Sequence, residues 1–89
     1  MLRITPLEAD PSRCELRVEG RLAGEVSVDI LRGELEQAAR LERPVVLELS
    51  GVSFADHEAV ALLAEAARRG VLLVGGSAWL TSLLNGLGP

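Results

Sequence analysis

Apolar and polar positions alternate most cleanly between Cys14 and Leu22. There Cys14, Leu16, Val18 and Leu22 interleave with Glu15, Arg17, Glu19 and Arg21. Successive strand side chains point to opposite faces, so the run predicts a strand with one buried and one solvated face. Gly20 interrupts the apolar side and marks a bulge or a close approach. Leu2-Arg3-Ile4-Thr5 reads as an earlier strand, ended by Pro6 and the turn residues Asp10-Pro11-Ser12. After Ala23-Gly24 the period changes. Leu31, Leu35 and Ala38 recur at helical spacing with Arg32, Glu34, Glu36 and Arg40 outside, and Ser27 is the capping candidate.

Pro44 stops that helix, and Val45-Val46-Leu47-Glu48-Leu49 follows as a nearly unbroken apolar run. Such a run predicts a central strand covered on both faces. Ser50-Gly51-Val52-Ser53-Phe54 reads as a turn, after which Asp56 caps a helix with Val60, Leu63, Ala64 and Ala67 on one side. Arg68-Arg69 suit the end of that helix, and Gly70 is its left-handed cap. Val71-Leu72-Leu73-Val74 is a fourth strand. Ser77 caps a last helix carrying Trp79, Leu80, Leu83, Leu84 and Leu87. The fold class expected is α/β: an antiparallel opening pair, then βαβ crossovers, giving a mixed sheet of about four strands with three helices packed mainly on one face.

Composition narrows the function classes. The 89 residues read as a single domain (1–89), small enough to bury about 60–65% of its unfolded surface. A net charge of −4 argues against a nucleic-acid partner, which needs a positive patch. The lone Cys14 cannot form an internal bridge, and it alternates with core positions, so it reads as a buried structural thiol in a reducing compartment. All nine basic residues are Arg, consistent with a GC-rich bacterial gene, and a cytoplasmic location is expected. Arg3, Glu8 and Asp10 interrupt any secretory leader. The 20 residues from Gly70 to Pro89 are uncharged, yet Gly75-Gly76-Ser77 breaks them, so no membrane insertion is expected.

Candidate chemistry collects at Asp56-His57-Glu58. The first amides of a helix lack intrahelical partners, so such a start can receive a ligand or a partner. Capping accounts for Asp56 by itself, and the preference for acids in a first turn accounts for Glu58. A small enzyme using His57 with Asp56 and Glu58 is the alternative from another class. A metal site would need three or more converging ligands, and the sequence offers no second His and no second Cys. No catalytic residue, metal or cofactor is therefore expected.

The order of elements, Gly20-Arg21-Leu22, and the segment from Val45 to Asp56 resemble the STAS domain family over nearly the whole chain. That family includes anti-sigma-factor antagonists, stressosome proteins and the cytoplasmic tails of sulfate transporters. Its regulatory members open the equivalent helix with Asp-Ser-Ser/Thr-Gly, and a partner kinase phosphorylates the Ser after the Asp. By position Asp56 matches the signature Asp and Glu48 an acidic strand residue. His57 falls on the phosphorylated Ser, Glu58 on the next hydroxyl residue and Ala59 on the Gly. The resemblance thus implies the fold and a binding role without the phospho-switch, so no phosphorylation is expected there. It places partner contact at Ser53, Phe54, Ala55, Asp56, His57 and Glu58. The partner implied is an anti-sigma factor or kinase-like protein. The alternative is a transporter or lipid-transport complex in which the chain is an accessory subunit. A homodimer through the apolar last helix is a further expectation.

Overall fold

The computed structural model describes the backbone over residues 2–7 and 11–87, and the side chains of those residues except at 79, 83 and 85–87. The chain order is β1 (Leu2–Leu7), β2 (Cys14–Leu22), α1 (Glu25–Ala39), β3 (Val45–Ala55), α2 (His57–Arg68), β4 (Leu72–Val74) and α3 (Ala78–Leu87). The strands form one sheet in the order β1-β2-β3-β4. β1 pairs antiparallel with β2, while β2, β3 and β4 run parallel. The chain is therefore a mixed α/β sheet with three helices, as the pattern predicts.

Parallel neighbours require crossovers, and α1 and α2 supply them. Because β2, β3 and β4 advance in one direction across the sheet, crossovers of one hand lay both helices on the same face. The core has that composition. Leu16, Val18 and Leu22 of β2 and Leu47, Leu49 and Val52 of β3 pack with Val28 and Leu31 of α1, Val60 and Leu63 of α2, and Leu80 of α3. The opposite face carries Arg17, Glu48 and the half-exposed Leu72, so β3 is covered by helices on one side only, not on both. Val46 is buried on the open side, between its strand neighbours Glu15 and Leu72 rather than under a helix.

Residues 50–54 are strand, not turn. β3 sets 11 residues against the 9 of β2, with register shifts between Arg17 and Glu19 and between Gly20 and Arg21. Each shift inserts one extra residue in β3, the pattern of a β-bulge. Strict alternation is lost, and Leu49, Val52 and Ala55 reach the core at intervals of three. That spacing is why the segment does not read as a strand. At Gly51 a Cβ would stand 2.7 Å from Cγ of Glu19, so the close approach of β2 requires glycine there.

Other boundaries move for local reasons. β1 runs through Pro6 to Leu7, because an edge strand can spare a backbone donor. α1 starts earlier than expected, with Gly24 at the N-cap, and Ser27 lies inside its first turn. β4 is Leu72–Val74, without Val71. Gly20 and Gly70 have φ of 98° and 100°, as expected for a bulge and a helix end.

The last helix is less available than its sequence suggests. Leu80 is fully buried, and Leu84 packs against the same core. Leu80 is therefore withdrawn from any surface contact, whereas Leu84 is only partly buried. Asp10 and the side chains of Trp79, Leu83 and Leu87 lie outside the described residues. Among the described residues no helix is long and apolar enough to cross a membrane.

Leu47 is fully buried at the sheet centre, whereas Leu72 is 55% exposed at its edge. Leu47→Ala should cost about 2–5 kcal/mol through lost transfer energy and a residual cavity. Leu72→Ala should stay within about 0.5 kcal/mol. Urea unfolding of both variants checks this, and equal losses would show that the outer face of β4 is covered.

Candidate functional site at the start of α2

The site is built where β2 and β3 end together. Leu22 pairs with Ala55, and the N–H of Asp56 donates to the Leu22 carbonyl at 3.1 Å. α2 therefore opens without any connecting loop: the chain passes from strand at Ala55 through one extended residue, Asp56, into helix at His57. The expected loop from Ser53 to Glu58 is instead a strand end, a cap and a first helical turn.

Asp56 uses both carboxylate oxygens. Oδ1 accepts from the Ala59 amide at 2.9 Å, which caps α2. Oδ2 accepts from the Gly24 amide at 2.8 Å, 32 residues away, just before α1. Gly24 has φ of +88° with no obstruction where a Cβ would stand, so the left-handed backbone itself is what favours glycine. One side chain thus ties the starts of two helices to the ends of two strands. The Gly24 and Ala59 amides, in that order, hold the Asp56 carboxyl below its ordinary value, because both bonds favour the charged form.

The remaining candidates divide by burial. Ser53, Phe54, His57 and Glu58 are exposed. Ala55 is buried in the core and is removed from the accessible surface, so a large charged side chain at that position would not leave the fold intact. The Arg21 guanidinium lies over the Phe54 ring, 4.4 Å from its centroid. A cation–π contact of this exposed kind is worth about 0.5–1 kcal/mol. It gives the site a flat, partly apolar edge beside the helix start. Among the described residues no group of three His, Cys, Asp or Glu side chains could hold a metal.

Glu48, matched above to an acidic strand position of the family, lies outside this surface. Its Oε1 accepts from the Ser50 amide at 3.0 Å, and its Oε2 pairs with Nε of Arg17 at 3.1 Å. Ser50 is the main cause that its carboxyl is held below the ordinary value, with Arg17 adding to the effect. The residue clasps the first bulge. An open groove of about 600 Å3, lined by Arg32, Leu35, Arg43, Leu62 and Arg69 among others, lies at the other end of the helices and touches none of the candidate residues.

Two partnerships escape sequence reading. The Asp56–Gly24 bond spans 32 positions, and the Arg21–Phe54 contact depends on the second bulge, which brings Arg21 opposite Phe54. The one available signal was a glycine standing directly between a strand and a helix.

A family model described as Mlab, STAS domain, matches residues 6–88. No curated protein matches the chain.

Both low carboxyls stabilise the fold above their ordinary values of 3.8 for Asp56 and 4.5 for Glu48. That stability is lost as pH falls below those values through the lower folded ones. Asp56→Asn keeps one acceptor but turns an NH2 group toward the second amide, so it should be less stable than wild type at pH 7 with a flatter acid limb. Asp56→Ala should be weaker still, and His57→Ser, at an exposed first-turn position, should be nearly neutral. Urea midpoints at pH 7 and at about pH 3 check the order. A larger loss for His57→Ser than for Asp56→Ala would contradict it.

Proposed function

The chain belongs to the STAS domain family, and from that premise we propose that it is a non-enzymatic protein-interaction module that docks its partner on the start of α2. The observation that carries this reading is the division of labour around Asp56. Its carboxylate is consumed by the Gly24 and Ala59 amides, which fixes the helix start, while Ser53, Phe54, His57 and Glu58 remain on the surface. A rigid, accessible helix start suits recognition, because little ordering entropy remains to oppose binding. No hydroxyl stands at 57, 58 or 59. A phosphoryl group would add about −1.5 to −2 charges to a first turn, and this turn has no Ser or Thr hydroxyl to accept one. Binding is therefore constitutive rather than switched.

The STAS resemblance supports an anti-sigma factor or kinase-like protein as the partner, in a bacterial cytoplasm, and the net charge of −4 argues against nucleic acid. A second reading has its own support: the matching family description names Mlab beside the STAS domain. It favours an accessory subunit of a transporter or lipid-transport complex, held at the cytoplasmic side of the membrane. Constitutive docking fits such a subunit, which stays assembled.

Tagged chain used as bait in its native host identifies the partner, and affinity is then measured against surface variants. Glu58→Arg combined with Ser53→Arg should abolish binding at an unchanged fold. Thr81→Arg, on the exposed side of α3, should bind normally. Incubation with a cognate-type kinase and ATP should leave residues 53–59 unmodified. Normal binding by the first variant, with failure of Thr81→Arg, would move the docking face to α3.

A further inference from the structure

β3 has a strand on both sides over only part of its length. β4 pairs with Val46, Leu47 and Glu48 and ends at Val74, where Gly75, with φ of 73°, turns the chain away. Beyond that point residues 50–55 are flanked by β2 alone. The Ser50 amide is taken by Oε1 of Glu48. Among the described residues, none pairs with the backbone of residues 51–55 on the side away from β2. Ser53 has no partner in β2 either, since Gly20 pairs with Val52 and Arg21 with Phe54. α3 leaves this gap open, because it packs chiefly on α2.

An open strand edge is matched by backbone donors and acceptors in extended conformation, so its chemistry names the kind of occupant. The opposite edge of the sheet is blunted, since β1 lacks a donor at Pro6 and carries Arg3. Residues 50–55 hold neither proline nor charge. The bulge at Ser53 interrupts the run, which therefore suits a short added strand of about three to five residues. A second copy offers as its outer strands only β1, broken at Pro6, and β4, three residues long. Neither matches this edge. The edge is instead continuous with the docking surface through the exposed Ser53 and Phe54.

We propose that the protein partner adds a short extended segment along this edge, continuing the column of β4 as a further strand of the sheet. This mode of binding rests on the docking reading above and specifies how the partner is held: by its backbone along residues 51–55, and by side chains at the start of α2. Backbone pairing supplies affinity with little demand on sequence, while alternate side chains supply specificity. The partner residue set beside Phe54 should be apolar, because that ring, 40% exposed, is the one large exposed apolar group on this stretch.

The protein captured by the tagged full chain from its native host is the probe, and amide hydrogen exchange is read by NMR in the free chain and in the complex. Amides of residues 51–55 that face away from β2 should exchange freely in the chain alone and slow at least about tenfold in the complex. Ser53→Pro removes the N–H of a residue without a β2 partner, at a bulge where proline is tolerated. It should weaken affinity about 5- to 10-fold at an unchanged circular dichroism spectrum. Ser53→Ala, which keeps the N–H, should bind as wild type. If Ser53→Pro loses the fold, the exchange rates of wild type decide. Unchanged exchange at residues 51–55, in a complex that Glu58→Arg with Ser53→Arg still disrupts, overturns the added strand and leaves the docking site standing. Slowing of the same amides as the concentration of the chain alone rises assigns the edge to a second copy and overturns it too. Normal binding by the double variant, or capture of no protein, overturns the docking site and the added strand together.

Discussion

The pairing of β2 with β3 governs the rest of the architecture. Nine residues must run parallel to eleven, and the two extra residues are absorbed as bulges. This changes which side chains reach the core: Leu49, Val52 and Ala55 all do so although they are three apart. It also carries the strand through to Ala55, so that Asp56 arrives level with the end of β2. Without the bulges, the cap of α2 would not stand within a hydrogen bond of Gly24.

Around this pairing the polar groups have mostly structural work. Glu48 holds the first bulge through the Ser50 amide and Arg17. Asp56 closes the other end through Gly24 and Ala59. Both bonds favour the charged carboxylate, so both groups tie the fold to pH above the carboxyl range. A residue whose lone pairs are already committed to backbone amides has little left for catalysis. The two Asp56 bonds instead fix the start of α2 against the ends of β2 and β3.

The apolar surface is also distributed with a logic. The leucines of α3 that the sequence offers as an interface turn inward at Leu80 and Leu84. Among the described residues the large exposed apolar groups are Val26 and Ile30 of α1, Leu41 just after it, Phe54 beside the start of α2 and Leu72 of β4. A small domain has one face of its sheet to cover, and the helices that cover it decide which apolar side chains are left over.

The sequence alone determined the order of the elements, the caps of α2 and much of the core. Those features depend on period and on local chemistry: alternation in β2, helical spacing in α2, and Asp56 and Gly70 at the ends of α2. The resemblance read from the same residues located the helix start as the candidate site. Tertiary structure decided what local pattern cannot carry. The bulges turned residues 50–54 from a turn into a strand, because pairing with β2 outweighed their turn-forming composition. Packing beneath α2 withdrew Ala55 from the surface. The second oxygen of Asp56 found Gly24, a partner set by strand register and remote in sequence.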